Sequence, residues 1–109
     1  MAKLELISPV QLTLLNEWLD LKSALEGSSS NTLIAYKRDL VDFLSFLKLY
    51  NGSTNSVSDL EAVDQPAMRS WMAENRRSGK TSRSIARQLS SVKSFYNWFA
   101  KRRGIDPTM

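Results

Sequence analysis

Ser82-Arg83-Ser84-Ile85-Ala86-Arg87-Gln88-Leu89-Ser90-Ser91-Val92-Lys93-Ser94-Phe95-Tyr96-Asn97-Trp98-Phe99-Ala100-Lys101-Arg102-Arg103 runs for twenty-two residues without a proline, a glycine or an acid. Set at roughly 100° per residue with Arg83 at zero, Ile85, Leu89, Val92, Phe95, Tyr96 and Phe99 fall between about 120° and 240°. That arc is one buried face of a long helix, from about residue 82 to 103. Arg83, Arg87, Ser90, Ser91, Ser94, Asn97 and Lys101 fall within roughly 60° below and 80° above zero, and Lys80 joins them when the helix is carried back to it. The face opposite the core is therefore basic and small, with Gln88 at its border.

Upstream, Ser78-Gly79 stops a preceding helix, of about 65–77, that opens at Asp64-Gln65-Pro66 and buries Met68, Trp71 and Met72. Before it, residues 53–63 are polar and acidic, and the Val57, Leu60, Val63 spacing predicts a loop that tucks three side chains onto the core. A second helix, about 32–50, carries Leu33, Tyr36, Leu40, Phe43, Leu44, Leu47 and Tyr50 at helical spacing and ends at Asn51-Gly52. Its polar residues Lys37, Asp39, Asp42 and Lys48 are assigned to the outer side. The first helix, about 9–25, starts at the capping pair Ser8-Pro9 and ends at Gly27. Leu12, Leu15 and Leu19 mark its inner stripe, with Trp18 off register. No strand alternation competes, so the fold class is all-α: a four-helix bundle.

Composition narrows the function. The chain has 109 residues, enough for one domain, and no Cys or His, which excludes disulfides, thiolate or imidazole metal sites, Cys nucleophiles and His general bases. No metal or cofactor is expected. The longest uncharged stretch, Leu6 to Asn16, is 11 residues and interrupted by polar groups, so no membrane span or signal core is expected and the chain reads as cytosolic. The net charge of +4 is unevenly placed: residues 80–103 carry +7, while 1–27 and 52–63 each carry −2. Such asymmetry fits a surface that meets a polyanion.

A solvated helix normally mixes both signs, since Glu–Lys pairs four residues apart are mildly stabilising. Here Arg and Lys interleave with Ser, Asn and Gln on a face narrow enough for a major groove of about 12 Å. Phosphates suit the long cations, and base edges suit Gln88, Ser91 and Ser94; Gln88 is a candidate reader of adenine. The free amides of Thr81, Ser82 and Arg83 at the helix start also favour a phosphate, and Lys80 strengthens that site. Ser30, Asn31 and Thr32, opening the second helix with Lys37 and Arg38 beyond, form a weaker candidate of the same kind. Capping explains them equally well. Tyr36 and Tyr96 lie on apolar stripes and are read as core, not as nucleophiles.

Two stretches resemble a known family. The stretch Asn31-Thr32-Leu33-Ile34-Ala35-Tyr36-Lys37-Arg38-Asp39-Leu40-Val41-Asp42-Phe43-Leu44-Ser45-Phe46-Leu47 resembles the opening of the core-binding (SAM-like) domain of tyrosine recombinases, the phage-integrase family. Arg83 to Phe99 resembles the last long helix of that domain, with its Arg-x-Leu-Ser-x-Val-Lys-x-Phe-Tyr-x-Trp core. The likeness covers most of residues 8–107 and points to the Xer branch, XerC-like more than XerD-like. It implies a domain, residues 1–107, that clamps one face of a double-stranded recombination site with its second and fourth helices in neighbouring major grooves. It also implies sister protomers in a tetramer on two duplexes, with a XerD-like partner, chromosome dimer resolution as the first expectation for the task with mobile-element integration left open beside it, and the nucleoid as the place. The isolated domain is expected to be monomeric.

The family's chemistry, a tyrosine attack on a phosphodiester reversed by a free 5′-hydroxyl, uses a separate carboxy-terminal domain. Residues 104–109 are read as the start of the linker to it, so no catalytic residue is carried over and the chain alone is expected to be inactive. Asp106 stands where Asn is common before the proline. Two other readings stand beside this one. In the first, the bundle docks an acidic protein partner through Trp18, Trp98 and the basic face. In the second it is a free-standing helix-turn-helix regulator, which lacks the two short helices joined by a tight turn.

Overall fold

The computed structural model describes residues 7–27, 29–52 and 60–104, and the described chain forms four long helices: α1 (Pro9–Glu26), α2 (Ser30–Asn51), α3 (Gln65–Arg77) and α4 (Ser82–Arg103). Each start has a side-chain cap. The hydroxyls of Ser8, Ser29 and Thr81 accept from the amides of Gln11, Thr32 and Ser84, and the Asp64 carboxylate accepts from Ala67. Each such bond satisfies an amide that the helix itself leaves free. Ser29 rather than Asn31 caps α2, so α2 begins two residues before the sequence-based expectation. Gly27 and Gly52 end α1 and α2 with φ of 61° and 65°, a left-handed turn that a side chain would strain.

α2 and α4 make the most extensive helix pair, and α1 packs against both while α3 closes the other side. The core is aromatic. Trp18 of α1 meets Phe95 of α4 edge to face with ring centres 5.6 Å apart, and Phe43 of α2 meets Trp71 of α3 at 5.3 Å. Leu15, Leu40, Leu44, Leu47, Val92 and Phe99 fill the space between them. Trp18 is 1% exposed, so its off-register position is a core position. α1 sits in the angle between α2 and α4, and a helix that touches two neighbours buries a wider arc than a single stripe. Tyr50, placed on the α2 stripe by spacing, is 47% exposed beyond the core and stacks on Phe46.

Leu60 and Val63 are buried as their spacing predicts, while Val57 lies outside the described residues, as do residues 105–109 of the expected linker. Tyr96 anchors the Leu60 segment: its hydroxyl donates to the Leu60 carbonyl at 2.6 Å. Tyr96→Phe removes that donor and leaves a buried carbonyl short of a partner, so it should destabilise the domain by about 1–2 kcal/mol. A urea melt checks this: the midpoint falls at an unchanged slope, whereas an unchanged midpoint removes Tyr96 as the anchor.

Candidate nucleic-acid interface

α2 and α4 run antiparallel where they meet, since Asp39 reaches Arg87 and Ser91 while Asp42, one turn on, reaches Lys80. Between them lies an open groove of about 630 Å³ lined by Ile34, Lys37, Arg38, Asp39, Val41 and Asp42 on one side and Lys80, Ser84, Arg87 and Gln88 on the other. Lys37 and Arg38 are exposed on its α2 wall, and among the described residues no ion pair engages either. The antiparallel run puts the start of α2 and the start of α4 at opposite ends of the groove. From Ser30 to Asp42 the α2 axis covers roughly 18 Å at 1.5 Å per residue. Ser30, Asn31 and Thr32 thus stand at one end, with Lys80, Thr81, Ser82 and Arg83 at the other.

Two residues assigned to the outer side of α2 face inward instead. Asp39 is 1% exposed and accepts from Arg87 Nη1 at 2.7 Å, Arg87 Nη2 at 3.2 Å and Ser91 Oγ at 2.9 Å. Asp42 accepts from the Trp71 indole at 3.3 Å and draws the Lys80 ammonium to 3.5 Å. The reason is that α2 is flanked by α1, α3 and α4 together, so its polar edge is an interface as well. The sequence holds no acid between Lys80 and Arg103, yet the fold supplies acids from elsewhere in the chain: Glu17 of α1 pairs with Arg102 at 2.7 Å and Glu61, ahead of α3, with Arg103 at 3.2 Å.

The outward face of α4 is correspondingly shifted. Ser91 and Gln88, expected at or near the DNA-facing side, are buried at 3% and 5% because α2 covers that edge. Ser94 is half-buried. Arg87 keeps half of its side chain in solvent while its end-on edge is held by Asp39. The strip left free is Arg83, Ser90, Lys93, Asn97 and Lys101, rotated toward negative wheel angles. Among the described residues no ion pair engages Arg83, Lys93 or Lys101. Buried Gln88 lines the groove with an Oε1 that finds no partner among the described residues.

The aromatic residues of the protein-docking reading also move. Trp18 belongs to the core, and Trp98 is half-buried against Phe95 with the Arg102 guanidinium 5.4 Å from its ring centre. Neither ring stands free as an anchor. Sequence reasoning missed Asp39 and Asp42. The available signal was their position on the edge of a stripe wide enough to need three neighbours.

The model of the phage integrase N-terminal SAM-like domain matches residues 15–104. Curated relatives include the tyrosine recombinase XerC of Rickettsia typhi (strain ATCC VR-144 / Wilmington), 38% identical over 88 residues, and that of Rickettsia bellii (strain OSU 85-389), 36% identical over the same span. The matched segment is 81% of this chain and 29% of each relative, so the chain spans under a third of their length. No solved structure is a match for this chain.

Proposed function

The chain belongs to the phage integrase N-terminal SAM-like domain family, and from that premise we propose that it binds duplex DNA at a recombination half-site as the amino-terminal domain of a site-specific tyrosine recombinase. The observation that carries this is the groove between α2 and α4. Lys37 and Arg38 stand exposed on its α2 wall, and the strip of Arg83, Lys93 and Lys101 continues along α4, all five without an ion pair among the described residues. Exposed cations of this kind displace counterions from phosphates, and a helix of this width enters a major groove.

The two helix starts, with Ser30 to Thr32 at one end of the groove and Thr81 to Arg83 at the other, supply amides and hydroxyls to phosphates on either side. Lys101 reaches a phosphate further along. Gln88 lines the groove, from which it presents an acceptor to a base edge after rotating outward, while Ser91 and Ser94 lie one and two turns further along α4. Strand exchange is the task of the larger recombinase, in which further protomers complete a tetramer on two duplexes.

The test is a fluorescence-anisotropy titration with a duplex selected by this protein from a randomised pool, beside a scrambled duplex, at low and moderate salt. Preferential binding with a log–log salt slope near −4 to −5, as roughly five phosphate contacts give, is expected. Arg83→Gln should make that slope shallower by about 0.9 on both duplexes. A wild-type chain indifferent to both duplexes at low salt would sink the proposal and move the basic strip to an acidic protein.

A further inference from the structure

Resting on that reading, the geometry points to a division of labour among the arginines: Arg87 is a charge-compensated reader of a base edge, and Asp39 is the positioning residue that makes it one. Asp39 is inside the protein at 1% exposure, and its three hydrogen bonds fix the carboxylate from α4 alone: two from Arg87 and one from Ser91. The guanidinium meets it end on, through one N–H of each Nη. That leaves Nε–H and the outer N–H of the neighbouring Nη as two parallel donors on the free edge. Two parallel donors match the O6 and N7 acceptors of guanine in the major groove. Arg87 lines the groove, and its side chain is 54% exposed.

The electrostatics decide between base and phosphate. A cation with a buried carboxylate 2.7 Å away contributes little net charge to the groove, so it releases few counterions on binding. Its contribution is directional: the side chain's rotamer freedom is lost on folding rather than on binding. Arg83 has the opposite design, exposed at the start of the same helix with no ion-pair partner among the described residues. One helix therefore presents an arginine for affinity and, one turn on, an arginine for discrimination.

The experiment measures salt slopes and the ratio of affinities for the selected and scrambled duplexes across wild type, Arg83→Gln, Arg87→Gln, Asp39→Asn and the Asp39→Asn/Arg87→Gln double variant. Arg87→Gln should lower the ratio about tenfold, and the charge-neutral Asp39→Asn/Arg87→Gln variant should do so with the slope unchanged, unlike Arg83→Gln. Asp39→Asn should lower the ratio by a similar factor while steepening the slope by about 0.9, because it frees a cation, and scrambled duplex should bind more tightly at low salt. In the double variant the ratio should fall no further than in either single one, the mark of one residue acting through the other.

If Asp39→Asn fails to fold, Ser91→Ala replaces it, with the ratio expected to fall about threefold because the carboxylate loses one anchor. A shallower slope in the charge-neutral Asp39→Asn/Arg87→Gln variant would overturn the inference and make Arg87 a phosphate contact. Equal weakening of both duplexes by Asp39→Asn, or an unchanged ratio in Ser91→Ala where that variant is used, would reduce Asp39 to a structural residue. These outcomes leave the DNA-binding reading standing, whereas absence of wild-type binding overturns both.

Discussion

Trp18→Ala is expected to lower the stability of the domain by about 3–5 kcal/mol, a large share of the roughly 5–15 kcal/mol available to a chain of this size. The indole is 1% exposed and touches the rings of Tyr36 and Phe95, so truncation removes transfer free energy and leaves a void between α1, α2 and α4. The midpoint of thermal unfolding should fall on the order of 20 °C. Circular dichroism melts of the wild type and the variant check this. A drop of only a few degrees would mean that Trp18 is a surface aromatic, and the protein-docking reading would regain its anchor.

Arg87→Ala is the second large effect, and it acts on the fold before it acts on any ligand. Removing the guanidinium strands the Asp39 carboxylate inside the protein with the Ser91 hydroxyl as its remaining donor among those described. An unpaired buried charge is costly, and complete burial of the pair would set the loss near 3–5 kcal/mol. With the guanidinium half in water the expected loss is about 2–3 kcal/mol. Asp39→Asn/Arg87→Ala, which removes the stranded charge as well, should recover part of it. Urea melts of the two variants read the difference; equal stability would mean that the carboxylate is not what suffers when Arg87 is lost. A binding assay on Arg87→Ala alone therefore conflates folding with recognition, and Asp39→Asn/Arg87→Gln, which leaves no stranded charge, separates them.

The all-α fold was legible because local signals agree with one another along the chain. Ser8-Pro9 and Asp64-Gln65-Pro66 announce helix starts, Gly27 and Gly52 announce stops, and the α4 wheel places Ile85, Val92, Phe95, Tyr96 and Phe99 on the face that is buried. A wheel gives an angle and is silent on which neighbour occupies it. For that reason Ser91 and Gln88 drifted outward in the reading and Asp39 with them, although all three lie under the contact between α2 and α4. The same limit applies to charge. Summing by segment finds +7 in residues 80–103, but Glu17, Asp39, Asp42 and Glu61 arrive from elsewhere in the chain and leave Arg83, Lys93 and Lys101 as the unpaired cations of α4 among the described residues. The family pattern was legible independently, because residues 31–47 and 83–99 carry it in their own sequence.

The contacts that define the groove join residues 48 and 52 positions apart, with the whole of α3 lying between them in the chain. Closing so long a loop is entropically unfavourable until packing rewards it, so these contacts belong to the late part of folding. During synthesis, α1, α2 and α3 leave the ribosome before α4 does, and until α4 docks, Asp39 has neither of its α4 partners and Lys37 and Arg38 border no groove. The nascent chain thus acquires its basic groove in a single step, when the last of these helices is released and seats against the second.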